Sequence, residues 1–294
     1  MKGKKTLFAL GPAGTNGHEA AKIAIETLLS RRGKNAVFDV AFVETNIAVL
    51  DEAMHKKSYG VVPVENSSAG IVDVVRNFWW TKEPKNDLYV IGKIRLPVEH
   101  CLLTQGIFVL TGLERVISHP QALLQCAKYL DRIGVKDRVP ATSTARAAQI
   151  LRDGPSEKSG AIASYFAAEL YGLYVAARGI EDFQGNVTFF HVVGPEPSTA
   201  TGDDQTAIIF KVPNEKGALM RILLAISLYG DANMDAIHSI PLGLSHDYAF
   251  YCEFDGHRDD PAGKRILHLL EDIAERLVVL GSFPRPLYLR ESAL

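Results

Sequence analysis

Short apolar runs and amphipathic stretches alternate through the first two thirds of the chain. "KKTLFAL" (4–10) reads as a buried strand, and "GPAGTNGHEAAKIAIETLLSRRGKN" (11–35) as a glycine-rich turn opening a helix that closes in a basic turn and a glycine. "AVFDVAFV" (36–43) is a second strand, "TNIAVLDEAMHKK" (45–57) a helix and "YGVVPVEN" (59–66) a third strand. Alternation of this kind predicts parallel strands covered by helices. A second series runs through strand "YVIGKIRLPVEHCLLTQ" (89–105), helix "HPQALLQCAKYLDRIG" (119–134), helix "STARAAQILRDG" (143–154) and "GAIASYFAAELYGLY" (160–174). "NVTFFHVVG" (186–194) closes it as a strand. The expected fold is α/β: two lobes with a cleft between them, where strand ends and helix N-termini converge.

The pattern changes after "PEPSTATGDD" (195–204), whose Pro, Ser, Thr, Gly and Asp mark a linker. Beyond it "QTAIIFKVP", a helix from Gly217 to Tyr229, "ANMDAIHSIP", "YAFYCEFDG", the helix "GKRILHLLEDIAERL" and "VVLGSFP" give the order β-α-β-β-α-β. That order is ferredoxin-like, and it divides the chain into domains at 1–197 and 204–294.

Composition narrows the partners. With 294 residues, nearly half apolar, and a net charge of −2, the chain is globular and has no basic field for nucleic acid. Cys101, Cys126 and Cys252 are far apart and form no CxxC, which suggests reduced structural thiols. The first apolar run is shorter than a signal-peptide core, and no stretch approaches the ~20 apolar residues of a membrane span. A cytoplasmic protein is expected, with no membrane partner.

Nucleotide, metallohydrolase and serine-hydrolase motifs are missing, and the nine histidines show no metal-ligand spacing. Polar residues gather instead at strand ends. In "GPAGTNGHEAA" a glycine-rich turn opens a helix and offers backbone N–H groups, with Thr15 and Asn16, to an anion such as a carboxylate. "GVVPVENSSAG" delivers Glu65, Asn66, Ser67 and Ser68 together at the end of a buried run. "SHPQALLQC" places Ser118 as a helix cap and His119 before a proline, and Thr142, Ser143 and Thr144 repeat that arrangement. Thr188 stands before Phe189 and Phe190; strict alternation puts Thr188 and Phe190 on one face.

Together these segments resemble the prephenate dehydratase family. The matching residues are Gly11-Pro12 with Gly14-Thr15, "GVVPVENS", "HCLL" at His100, "SHPQAL" at Ser118, "STA" at Ser143, "AIAS…AAELYGL" at Ala161 and "NVTFF" at Asn186. "VPNEKGAL" and "LGSFPR" are similar to the ACT regulatory domain that follows in this family. The resemblance implies a two-lobed, periplasmic-binding-protein-like catalytic domain that turns prephenate into phenylpyruvate, CO2 and water without cofactor or metal. It implies Thr188 as the acid. Thr15, Asn16, Glu65, Asn66, Ser67, Ser118, His119, Ser143, Thr144 and Phe190 would bind substrate. Gly217, Ala218, Leu219 and Ser239 would bind an amino-acid effector, phenylalanine in the family, at an interface of a homodimer or homotetramer. The resemblance begins at the first strand, so a fused chorismate mutase is not expected.

Three departures leave alternatives open, one of them in the glycine-rich turn, where the family's "GTFS" reads Gly14-Thr15-Asn16-Gly17 and a serine hydroxyl is missing. The family's Thr-Arg-Phe reads Thr188-Phe189-Phe190, and an arginine expected to hold a substrate carboxylate is missing. Losing such a contact removes roughly 1.5–3 kcal/mol, about 10–150-fold in binding. Arg76, Arg146 or the backbone turn would have to replace it. The effector segment "ESRP" reads His238-Ser239-Ile240-Pro241, with His238 expected in solvent. A non-aromatising prephenate decarboxylase and a non-catalytic amino-acid sensor are the competing readings.

Overall fold

The structure, a computed structural model, describes residues 4–30, 36–82, 87–107, 110–154, 158–243 and 247–286. The first lobe begins with β1 (Lys5–Leu10), α1 (Asn16–Ala24), β2 (Phe38–Val43), α2 (Asn46–His55), β3 (Tyr59–Asn66), β4 (Gly70–Ile71), α3 (Asp73–Lys82) and β5 (Tyr89–Pro97). The second lobe holds β6 (Cys101–Thr104), β7 (Arg115–Ser118), α4 (Pro120–Gln125), α5 (Ala127–Arg132), β8 (Asp137–Pro140), α6 (Thr144–Asp153), β9 (Ser159–Ala163), α7 (Tyr165–Tyr171) and β10 (Tyr174–Ala177). Then β11 (Val187–Gly194) returns to the first sheet, whose order is β2-β1-β3-β11-β5 with β4 on β3; the second sheet is ordered β10-β6-β9-β7-β8.

Side-chain hydroxyls start the helices that face the cleft. Thr15 caps α1 by accepting from the His18 N–H, and Ser143 caps α6 by accepting from the Arg146 N–H. The segment read as one strand from 89 to 105 is two, because β5 belongs to the first sheet and β6 to the second. Val98 to His100 and the 178–186 segment therefore cross between the lobes. They are tied by Val98 N–H to Asn186 C=O, 2.8 Å, and Ile180 N–H to His100 C=O, 3.1 Å. The long helix read at 119–134 is also two, broken at Cys126. The first sheet is mixed, since β11 runs antiparallel to β3 and β5.

The last third is β12 (Asp204–Lys211), α8 (Ala218–Leu224), β13 (Met234–Pro241), β14 (Tyr248–Asp255), α9 (Pro261–Ile273) and β15 (Arg276–Pro284). Its antiparallel sheet, ordered β13-β14-β12-β15, is ferredoxin-like. One face packs on α8 and α9; from the other, Ile209, Tyr251, Leu280 and Phe283 join a core with Val62, Val64 and Trp79 of the first lobe. The first sheet is thus sandwiched, with α1 on one face and α2, α3 and the C-terminal sheet on the other. All three cysteines are free and buried, and burial pushes each thiol up to about 12, as structural thiols require. Among the described residues, no helix is long and apolar enough to cross a membrane.

Candidate active site

A cleft of about 380 Å³ opens between the lobes. Of the residues singled out in the sequence, Thr15, Asn16, Asn66, His119, Ser143, Thr144, Thr188 and Phe190 line it. A larger cavity of about 450 Å³ lies along the edge strand β5 beside Arg285 and contains none of them. The ends of β3 and β11, the start of α1, the start of α6 and the α4 region thus meet at one place, as the glycine-rich and hydroxyl-rich segments predicted.

Thr188 is nearly buried and hydrogen-bonded in a defined sense. Asn66 Oδ1 accepts from the Ser68 N–H at 3.0 Å and the Ala69 N–H at 2.8 Å, so its amide nitrogen must face the other way. Asn66 Nδ2 donates to Thr188 Oγ1 at 2.8 Å and to Asn186 Oδ1 at 2.8 Å. With its oxygen accepting, Thr188 is left with a proton to give, and no protein acceptor takes it among the described residues. Thr188 thus brings a hydroxyl that can still donate to the lining of the cleft.

Several expectations are corrected by strand alternation and burial. Glu65 does not face the cleft: it follows the opposite side of β3 from Asn66, where its Oε2 lies 3.6 Å from His238 Nε2 of the C-terminal domain. His238 is correspondingly not a free surface residue; burial lowers it first, Arg76 adds to that, and Glu65 opposes. Ser67 sits outside the cleft, accepting from the Val187 N–H at 2.9 Å and so holding the start of β11. Ser118 is fully buried and donates to Ile162 C=O at 2.7 Å across two strands; His119, accepting from the Gln121 N–H, is the cap of α4. Gly14 does not offer its N–H to an anion, because His18 Nδ1 accepts it at 3.1 Å.

The arginine question resolves the same way. Phe189 points away from Thr188 and Phe190, packs against the core shared with the C-terminal domain, and carries the Lys93 ammonium 4.9 Å above its ring. An arginine there would not reach a ligand in the cleft. Arg76 is buried on that same far side, stacked 4.6 Å over the Tyr251 ring, and Arg146 is exposed and donates to Gln149. Neither lines the cleft. Among the described residues that line the cleft there is no lysine or arginine.

Five lining residues with polar side chains were not singled out as binders: His100, Gln121, Gln125, Thr142 and Asn186. The signal for two of them was legible, since Gln121 and Gln125 are four apart on one helical face. His100 donates from Nε2 to Gln125 Oε1 at 2.9 Å, and the bond directs the Gln125 amide.

The family model described as prephenate dehydratase matches residues 7–198. A bifunctional chorismate mutase/prephenate dehydratase from Aquifex aeolicus is 32% identical over 280 residues, covering 95% of this chain and 73% of that protein. Among solved structures, a prephenate dehydratase in complex with L-Phe from Arthrobacter aurescens is 27% identical with a TM-score of 0.77, covering 95% and 90% of the two chains. GqqA, described as a quorum quenching acylase, is 26% identical with a TM-score of 0.78, covering 97% and 99%.

Proposed function

This chain belongs to the prephenate dehydratase family, and we propose that Thr188 is the acid with which it converts prephenate to phenylpyruvate, CO2 and water. The carrying observation is the Asn66 bond at 2.8 Å, which leaves the hydroxyl of the cleft-lining Thr188 with a proton to give. As the C–CO2 bond breaks, its electron pair enters the ring, the C4–O bond breaks, and the departing hydroxyl takes the Thr188 proton and leaves as water. Solvent returns a proton to Thr188. Aromatisation drives the step, so a weak acid suffices, and general acid help of this kind is worth ~10²–10⁴-fold. Pro63, Val98, Ala122 and Phe190 give the leaving CO2 an apolar surrounding.

The two substrate carboxylates are held by neutral donors in this reading. Asn16 and Gly17 at the start of α1 and Ser143 and Thr144 at the start of α6 present one helix N-terminus from each lobe. Acyl transfer, the chemistry in the description of GqqA, asks for a base on the nucleophile. Here the partner of Thr188 is an amide donor, and the cleft histidines are engaged with Gln125 and the α4 backbone.

Residues 1–197 form the catalytic domain in this reading, and 204–294 an ACT regulatory domain taking phenylalanine. Gly217 (φ 82°) opens α8 with Ala218 and Leu219, and Ser239 is exposed on the edge strand β13. The chain acts in the cytoplasm as a homodimer or homotetramer. The apolar face of the C-terminal sheet is covered within the chain. What favours association is the unpaired edge of β13, with Ile237 exposed, and exposed Met220, Leu224 and Leu228 on the α8 region.

Product analysis after incubation with prephenate tests the reaction. Phenylpyruvate, lost in Thr188→Ala, is expected. A decarboxylated product retaining the ring hydroxyl would make this a non-aromatising decarboxylase, and binding without turnover would make it a sensor. Calorimetric titration with Phe, Tyr and Trp tests the effector: no heat with any of them removes it.

A further inference from the structure

The "AAELYGL" segment is absorbed by none of the chemistry above, yet its tyrosine bridges the two lobes. Tyr171, at the end of α7 in the second lobe, donates its hydroxyl proton to the Ala13 carbonyl in the turn before α1 in the first. The same oxygen accepts from Gln149 Nε2 of α6 at 2.8 Å, so both roles of the phenol are filled. The ring closes on Gly14: a Cβ there would lie 2.9 Å from Tyr171 Cε2, and Gly14 has φ +86°. This contact, rather than an anion, accounts for the glycine.

The contact continues along α1. The His18 ring meets Phe166 of α7 edge-on at 4.9 Å, and the Lys22 ammonium lies 5.3 Å over the same ring. Glu19 on this face lies near Glu169 of α7; burial first, then that like charge, pushes Glu19 up to about 7. The ends of this zipper are the walls of the cleft. Ala13 is two residues from Thr15 and three from Asn16, and Gln149 is on the helix that begins with Ser143 and Thr144 at the cleft.

The geometry points to Tyr171 as a positioning residue, a latch that holds the α1 and α6 walls at the separation the substrate spans. The hydroxyl touches no ligand; it acts through the turn that carries Thr15 and Asn16. Losing it shifts the lobes toward an open form that binds poorly, and substrate must then reclose them. KM rises with the fraction opened while kcat is kept.

Tyr171→Phe removes the hydroxyl and keeps the ring. The expected result is a KM for prephenate up to about 10-fold higher, the reach of one hydrogen bond, with kcat within about twofold and faster amide exchange confined to residues 11–18. Unchanged exchange in that segment together with unchanged KM overturns the latch. So does a fall in kcat alone, which is what loss of folded enzyme produces. If Tyr171→Phe does not fold, Gln149→Ala removes the other bond to the phenol and must move KM and exchange in the same direction; no movement overturns the latch. The kinetic arm rests on the dehydratase reading. If the wild type does not consume prephenate, that reading fails, and the exchange measurement alone decides the latch.

Discussion

The two faces of the first sheet carry opposite chemistry from the same strands. On the cleft face, β3 and β11 present Asn66, Thr188 and Phe190 beside helix starts, with neutral donors and no lysine or arginine among the described lining residues. On the far face the next residues along, Glu65, Phe189 and His191, meet the C-terminal domain. There Glu253 of β14 is almost wholly buried, ion-paired with Lys93 and accepting from Tyr251 and, at 3.3 Å, from His191. Burial alone would raise this carboxyl; the bond from His191 and the Lys93 ammonium outweigh that and hold it below its ordinary range. His191 is itself kept neutral chiefly by burial. The difference teaches where a charge is tolerated. A permanent ion pair can be satisfied between two rigid domains, whereas the cleft must be solvated when empty and offers donors that need no counter-charge.

Breaking the cleft face has the largest effect. Thr188→Ala is expected to lower kcat by about 10²–10⁴-fold with stability little changed, measured by phenylpyruvate formation and by thermal melting. Breaking the far face moves stability instead. Glu253→Ala strands Lys93 in a dry interface and is expected to cost about 3–5 kcal/mol in denaturant unfolding, with the KM of the remaining folded enzyme unchanged. Because Glu253 is depressed in the folded chain, it contributes stability above the ordinary value of 4.5, and that contribution is lost as pH falls further. Acid unfolding of Glu253→Ala should accordingly be shallower than that of the wild type.

Phe189→Arg sharpens the contrast by restoring the family's motif on the wrong face. Its KM for prephenate is expected within about twofold of wild type, about 0.4 kcal/mol; a large drop in KM would return position 189 to the cleft. The smallest effect belongs to Glu19. Its raised value, about 7, means that ionisation opposes the closed lobes, with no penalty below 4.5 and the full penalty above about 7. KM should rise modestly from pH 6 to 8 in the wild type and less in Glu19→Gln.

Much of this site was legible in the chain. Hydroxyls and glycines at strand ends pointed to Thr15, Asn16, Asn66, Ser143, Thr144 and Thr188, which the fold brings to one cleft, because turns that open helices at a sheet's edge advertise themselves in residue type. Glu65 and Ser118 were misplaced for a shared reason. Each sits in a run dense with polar residues, and density does not say which neighbour faces the ligand. Alternation separates Glu65 from Asn66 in the sequence too, yet nothing local says which of the two faces is the cleft. The pairing of His100 with Gln125 went unread because His100 lies in the crossing between lobes, away in sequence from the helix that carries Gln125.

The sequence by itself determined most of the elements, the two α/β lobes, the βαββαβ third and which hydroxyls stand at strand ends and helix starts, since periodicity, capping residues and turn chemistry are local. Only the tertiary structure decided which side of β3 and β11 lines the cleft and which meets the C-terminal sheet. It also placed Phe189, where the family has its arginine, against the core shared with the C-terminal sheet. The reason is geometric: a strand offers two faces of equal standing, and what covers each face is settled by other segments of the chain, some of them far along the sequence.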